Sequence, residues 1–135
     1  TFGTAAELGP RGDTKVVGLE LADGWTGVDI GPATAEAFVS LIATAGTVLW
    51  NGPLGVVEDE RMARGTRRVA EAVAACPGCT VVGGGDSARV LDDLGLADRV
   101  SFLSTGGGAS LAFLADHDLP GLAALRSAPN APHRR

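Results

Sequence analysis

Three times between residues 47 and 109, a short apolar run stops at a glycine-rich turn and restarts with helical spacing. The runs are Thr47–Trp50, Thr80–Val82 and Val100–Leu103. The turns are Asn51-Gly52-Pro53-Leu54-Gly55, Gly83-Gly84-Gly85 and Thr105–Gly108, and the segments that follow are about Asp59–Ala75, Asp86–Leu94 and Ala109–Ala115. Continuous apolar runs without alternation suit strands buried on both faces, which is the condition of a parallel sheet. Strand, turn and helix in repetition then predict an α/β fold. Right-handed crossovers place all three turns on the carboxyl edge of that sheet, where open α/β folds bind ligands.

A glycine turn that runs into a helix presents backbone N–H groups with no intrahelical acceptor, at the positive end of the helix dipole. Glycine lets an anion approach that backbone closely. The chain contains 20 glycines in 135 residues, roughly twice the usual share of about 7 %, without the three-residue period of collagen. Neither standard nucleotide fingerprint is present. The sole lysine, Lys15, lies far from any Gly-x-x-x-x-Gly-Lys-Ser/Thr pattern, and no Gly-x-Gly-x-x-Gly follows a strand with the required later acid. Asp86, directly after the second triplet, suits either a helix N-cap, with Ser87 assisting, or a carboxylate for magnesium.

Upstream of the repeat, residues 1–14 read as loop, Lys15–Leu21 as a strand, Asp23-Gly24 as a turn and Trp25–Ile30 as a second strand. Pro32 and Thr34 open a helix over Ala35–Ala45, with Phe38, Leu41, Ile42 and Ala45 on one face and Gly46 as a left-handed cap. In the second helix Met62, Val69, Ala70 and Val73 form the apolar face, while Arg61, Arg64, Arg67, Arg68 and Glu71 stay in water. Cys76-Pro77-Gly78-Cys79 has redox spacing, but it follows a helix instead of starting one, so no dipole activates the thiol. His117 and His133 have no neighbouring ligand set, and Trp25 and Trp50 are core or pocket-wall residues. From Ser127 the periodicity is lost, and residues 127–135 are expected to be disordered.

Hydrophobic residues make up 45 % of the chain and the net charge is −5, which allows a real core and speaks against nucleic acid as a partner. No apolar run reaches the roughly 18 residues of a membrane span, so no membrane partner and a cytoplasmic location are expected.

Five motifs in order resemble phosphoglycerate kinase. They are Asp23-Gly24-Trp25 with Asp29-Ile30-Gly31-Pro32, Trp50–Val56 with Glu58, Gly83–Ala88, Ser104–Ser110, and Leu119-Pro120-Gly121 through Leu125. The resemblance implies a partial Rossmann-like parallel sheet with helices on both faces, and it assigns residues 1–126 to the later part of the family's C-terminal, nucleotide-binding domain. It implies that Asn51, Pro53 and Val56 line the nucleotide site and that Glu58 contacts the ribose. Gly84, Gly85, Asp86 and Ser87 sit at the phosphates, with Asp86 toward Mg²⁺. Gly106, Gly107 and Gly108 open the helix whose amides stabilise the phosphoryl group in flight, a reaction that relies on positioning and charge stabilisation.

The implied substrates are ADP or ATP, with 1,3-bisphosphoglycerate or 3-phosphoglycerate held by an N-terminal domain, in a monomeric parent. The family's Gly-Gly-Ala-Lys strand end, its adenine-side residues and its transfer-stabilising lysine and arginine are absent from these residues. The chain alone is therefore expected to be inactive, and half a parallel sheet, with an unpaired strand edge and an uncovered apolar face, is expected to be marginally stable. A non-catalytic nucleotide-binding or interaction module is the alternative, and a thiol redox protein using Cys76 and Cys79 a third.

Overall fold

In the computed structural model, residues 5–8, 12–18 and 20–127 are described. Two sheets are present. In the first, β1 (Ala5–Leu8) lies between β2 (Thr14–Val17) and β3 (Thr26–Ile30), antiparallel to both. The expected loop over residues 1–14 therefore gives way to a central strand at Ala5–Leu8. That segment carries no β-branched residue, so propensity does not announce it; pairing on both sides supplies what the sequence lacks. β2 ends at Val17, short of the expected Leu21, while Trp25 follows a turn at Asp23-Gly24 closed by Trp25 N–H donating to Ala22 O at 3.0 Å.

The second sheet is parallel, in the order β4 (Thr47–Asn51), β5 (Cys79–Gly83), β6 (Phe102–Ser104), with Trp50 opposite Val82 and Val82 opposite Leu103. Helix α2 (Arg64–Ala75) links β4 to β5, and α3 (Gly85–Asp93) links β5 to β6. Two right-handed crossovers in the same direction put both helices on one face. There Trp50 and Val82 meet Val69, Ala70 and Val73 of α2 and Val90 and Leu91 of α3. Phe38 and Ile42 of α1 (Pro32–Ile42) close the side of this core. Cover is unequal between the two faces: Leu49, Val81 and Phe102 are in register on the opposite one, where Leu49 is 47 % and Phe102 68 % exposed. The uncovered apolar face expected for so short a parallel sheet is present, and β4 and β6 are its edges.

The helix boundaries differ from expectation in instructive ways. α1 begins at Pro32 with Gly31 as its cap, so Thr34 lies inside the first turn and is buried. Because the helix ends at Ile42, Gly46 falls beyond the cap, and its carbonyl accepts from Cys79 N–H at 3.0 Å. The second helical segment is split. Asp59 caps a short 3₁₀ turn, Glu60–Met62, by accepting from Arg61 N–H at 2.9 Å, and α2 starts afresh at Arg64. Its apolar face is as expected, with Met62, Val69, Ala70 and Val73 all buried, while Arg61, Arg64 and Arg67 are exposed. Arg68 is half-buried and reaches Glu36 of α1 at 2.8 Å.

Asp29 explains where α2 begins. This buried carboxylate accepts from Gly65 N–H at 2.8 Å and from Ile30 N–H at 2.9 Å, so β3 caps a helix 36 residues away. Burial raises its pKa, and the bonds from Gly65, Ile30 and Thr66 pull the other way without cancelling that shift. Gly65 has no room for a Cβ, which would lie 2.7 Å from the Asp29 carboxylate.

After β6 come α4 (Gly107–Asp116), closed by His117 in the left-handed region, and α5 (Pro120–Ser127). Ser127, expected to begin a disordered tail, ends α5; residues 128–135, including His133, lie outside the described residues. Cys76 caps α2 at its carboxyl end with its thiol donating to Ile42 O at 3.3 Å, and Cys79 opens β5. Both are free thiols, and the pair follows α2 and leads into β5 instead of starting a helix.

Candidate functional site

The three glycine turns converge at the carboxyl edge of the parallel sheet. Gly52 N–H, just past β4, donates to Ser87 Oγ of α3 at 2.9 Å and lies 3.3 Å from Gly83 O at the end of β5. Gly84 N–H donates to Ser104 O at the end of β6 at 2.9 Å. Gly107, the first residue of α4, sits against Asn51 and Gly84; a Cβ there would meet Gly84 N at 2.7 Å. Glycine at 83 and 107 is thus what lets three strand ends and two helix starts share one patch.

Asn51 ends β4 with its side-chain oxygen between Gly83 and Gly107, and the residue is exposed. The loop after it is held on every side. Trp50 Nε1–H donates to Gly52 O at 2.6 Å, Leu54 and Gly55 N–H both donate to Thr66 Oγ1 at 3.0 Å, and Val56 N–H donates to Val28 O at 3.0 Å. Pro53 and Val56 line a shallow cavity of about 310 Å³ with Gly27–Ile30. Val56 is 42 % exposed, and Glu58 is exposed a little further along the loop.

At the second turn, Gly84 has φ +99° and caps α3, so only a residue tolerant of positive φ fits there. Asp86 therefore stands inside the first turn and makes no side-chain cap, which removes the N-cap reading. Its carboxylate is exposed at the positive end of the helix dipole. Ser87 is fully buried with its oxygen engaged on Gly52, so it shapes the neighbouring loop instead of standing in the open mouth. Gly106 caps α4, with Gly107 buried and Gly108 exposed. The first intrahelical bonds run from Ala88 to Gly84 and from Ser110 to Gly106, which leaves the amides of Gly85–Ser87 and Gly107–Ala109 without helical acceptors. Two helix starts thus aim N–H groups into one patch, beside one carboxylate.

That donor set suits a magnesium ion carried on phosphates, which needs one or two protein carboxylates and takes its other ligands from phosphate and water. No cluster of three or more His, Cys, Asp or Glu that could bind a metal unaided exists among the described residues. A larger cavity of about 510 Å³ lies elsewhere, between the antiparallel sheet and the starts of α1 and α2, and is lined by Lys15, Glu36, Arg64 and Arg68 among others. It contains none of the glycine turns.

The family model described as "Phosphoglycerate kinase" matches residues 4–117. The chain belongs to the phosphoglycerate kinase family. Phosphoglycerate kinase of Roseiflexus sp. (strain RS-1) is 52 % identical over 109 residues, covering 81 % of this chain and 28 % of the relative. The Frankia casuarinae enzyme is 56 % identical over 115 residues, 84 % of this chain and 29 % of its own length. Among solved structures, phosphoglycerate kinase from Coxiella burnetii superposes with a TM-score of 0.78 at 37 % identity, over 90 % of this chain and 33 % of that one. The Pyrococcus horikoshii OT3 enzyme gives 0.78 at 34 % identity, over 93 % and 32 %. The chain spans less than a third of the length of these curated relatives.

Asn51, Gly84, Ser87 and Gly107 are within one network, with Gly85 and Asp86 beside it at the start of α3, whereas Pro53, Val56 and Glu58 extend from it along the loop. Sequence reasoning missed Thr66, the indole bond of Trp50 and the capping role of Asp29. Nothing in helical or strand periodicity marks them, since each acts on backbone distant in sequence.

Proposed function

We propose that this chain supplies the nucleotide side of a phosphoglycerate kinase, which moves a phosphoryl group between 1,3-bisphosphoglycerate and ADP, giving 3-phosphoglycerate and ATP. The observation that carries this reading is the convergence of the three turns, with Gly52 on Ser87 and Gly84 on Ser104. Residues 1–126 act as the later part of the nucleotide-binding domain, and the phosphoglycerate is held by a separate N-terminal domain of a monomeric, cytoplasmic enzyme. No helix among the described residues is long and apolar enough to cross a membrane.

In this reading Asn51, Pro53 and Val56 form the wall against which the nucleotide lies, and Glu58 accepts from the ribose hydroxyls. The amides of Gly85 and Ser87 face the phosphates from a turn that Gly84 fixes through its bond to Ser104 O, and Asp86 takes the Mg²⁺. The ion, when bound, neutralises phosphate charge. The amides of Gly107 and Gly108, in the turn that Gly106 anchors by donating its N–H to Ser104 Oγ at 3.2 Å, face the transferring group and stabilise its charge without reorganising. Since phosphoryl transfer needs no protein nucleophile, backbone donors on a rigid edge are a sufficient contribution from this half. No lysine or arginine stands among these turns, so the 135 residues alone lack kinase activity.

Calorimetry with Mg-ADP tests the reading. Binding by the chain, lost in Asp86→Ala, supports it; equal binding by both, or by neither, counts against it.

A further inference from the structure

We propose that Thr66 is a positioning residue for the nucleotide: by gripping the Leu54–Gly55 turn from inside α2, it sets the path of the Asn51–Val56 loop and so the affinity for Mg-ADP. This rests on the nucleotide reading above. Thr66 is fully buried, and its single hydroxyl oxygen accepts from Leu54 N–H and from Gly55 N–H, each at 3.0 Å. Two donors occupy both lone pairs of that oxygen. The oxygen is itself fixed, because Thr66 follows Gly65, whose amide is held by the buried Asp29 carboxylate at 2.8 Å.

The grip is tight on the loop side as well. Gly55 lies so close to Asp29 and to Met62 O that a Cβ there has no room. One residue on, Val56 N–H reaches Val28 O at 3.0 Å, tying the loop to β3. Pro53 and Val56, the two apolar residues assigned to the nucleotide wall, flank the gripped pair. Remove the hydroxyl, and two half-buried N–H groups lose their acceptor together; the turn must then move to find water. The displacement falls on residues 53–56, not on the Gly83–Ser87 turn, which has its own partners.

Thr66→Val keeps the shape and removes the oxygen, Thr66→Ser keeps the oxygen, and Ala74→Gly weakens the far end of the same helix, two turns from the loop. All three are made in the 135-residue chain. Readouts are the Kd for Mg-ADP by calorimetry, amide hydrogen exchange at Leu54 and Gly55, and the thermal midpoint. Thr66→Val is expected to raise Kd about tenfold and to speed exchange at Leu54 and Gly55 ahead of the rest of the chain, Thr66→Ser to restore both, and Ala74→Gly to lower the midpoint without moving Kd. Unchanged Kd and exchange in Thr66→Val, or the same loss in Ala74→Gly, overturns the proposal. If Thr66→Val does not fold, Thr66→Ser decides: a Kd and protection at wild-type level support the proposal, and loss of either overturns it. A wild-type chain that does not bind Mg-ADP sinks the nucleotide reading instead, and exchange at Leu54 and Gly55 still decides whether Thr66 holds the loop.

Discussion

Ser87 Oγ and Gly52 N, 35 residues apart in the chain, meet at 2.9 Å and join the start of α3 to the loop after β4. This bond decides the spacing between two of the three turns that form the carboxyl edge. Because Ser87 is fully buried, its removal leaves Gly52 N–H with only the longer contact to Gly83 O. Ser87→Ala should cost about 1 kcal/mol of stability and weaken Mg-ADP binding several-fold. Denaturant unfolding and calorimetry on the same samples check the two effects.

Asp86 is exposed and caps nothing, so Asp86→Asn should cost only the charge–dipole interaction at the start of α3, about 0.3–1 kcal/mol. Its main effect should fall on the metal. ADP affinity measured with and without Mg²⁺ should differ in the wild type and converge in the variant.

Adjacent glycines at the third turn should respond in opposite ways. A Cβ at Gly107 runs into Asn51 and the Gly84 backbone, whereas one at Gly108 meets nothing within 4 Å. Gly107→Ala should therefore destabilise by about 1–3 kcal/mol, the usual cost of overpacking, and Gly108→Ala should be tolerated. Thermal unfolding of the pair is a direct check on the convergence of the strand ends.

Two carboxylates pull stability in opposite directions with pH. Asp59, hydrogen-bonded by the Arg61 side chain and amide, is held down to about 2 from an ordinary 3.8. Its contribution is present above that ordinary value and is lost as pH falls toward 2. Burial raises Asp29 instead. In the window just above its ordinary value the native state binds the extra proton, so this term weakens as pH rises through it. Asp59→Asn should flatten the acid limb of a stability-against-pH curve. A wild-type limb retained in that variant would show that the Arg61 pair contributes nothing.

The parallel sheet was legible because Thr47–Trp50 and Thr80–Val82 are short apolar runs bounded by glycine, and because crossover handedness leaves one arrangement for the turns. The residues of α2 that enter the core were legible from their spacing. Other features were not. β1 at Ala5–Leu8 owes its existence to two partners, not to its own residues. The starts of α1 and α3 lie at Gly31 and Gly84, glycine caps without a side-chain signal, which is why Thr34 was read as opening α1 and a cap was one of the two readings of Asp86. Ser87, Thr66 and Asp29 act through side-chain bonds to backbone 35, 11–12 and 36 residues away. Such bonds have no period, so pattern reading passed over these roles of Thr66 and Asp29, and the bond from Gly52 to Ser87 was equally invisible to it.

Amide chemical shifts of the chain, followed while Mg-ADP is added, test the central claim most directly. The three turns should move together as one site, with saturable shifts at Gly52–Val56, Gly84–Ser87 and Gly106–Gly108 and little change in the antiparallel sheet. Shifts confined to the basic cavity around Lys15 and Arg64, or no saturable shifts at the turns, would contradict a nucleotide site on the carboxyl edge.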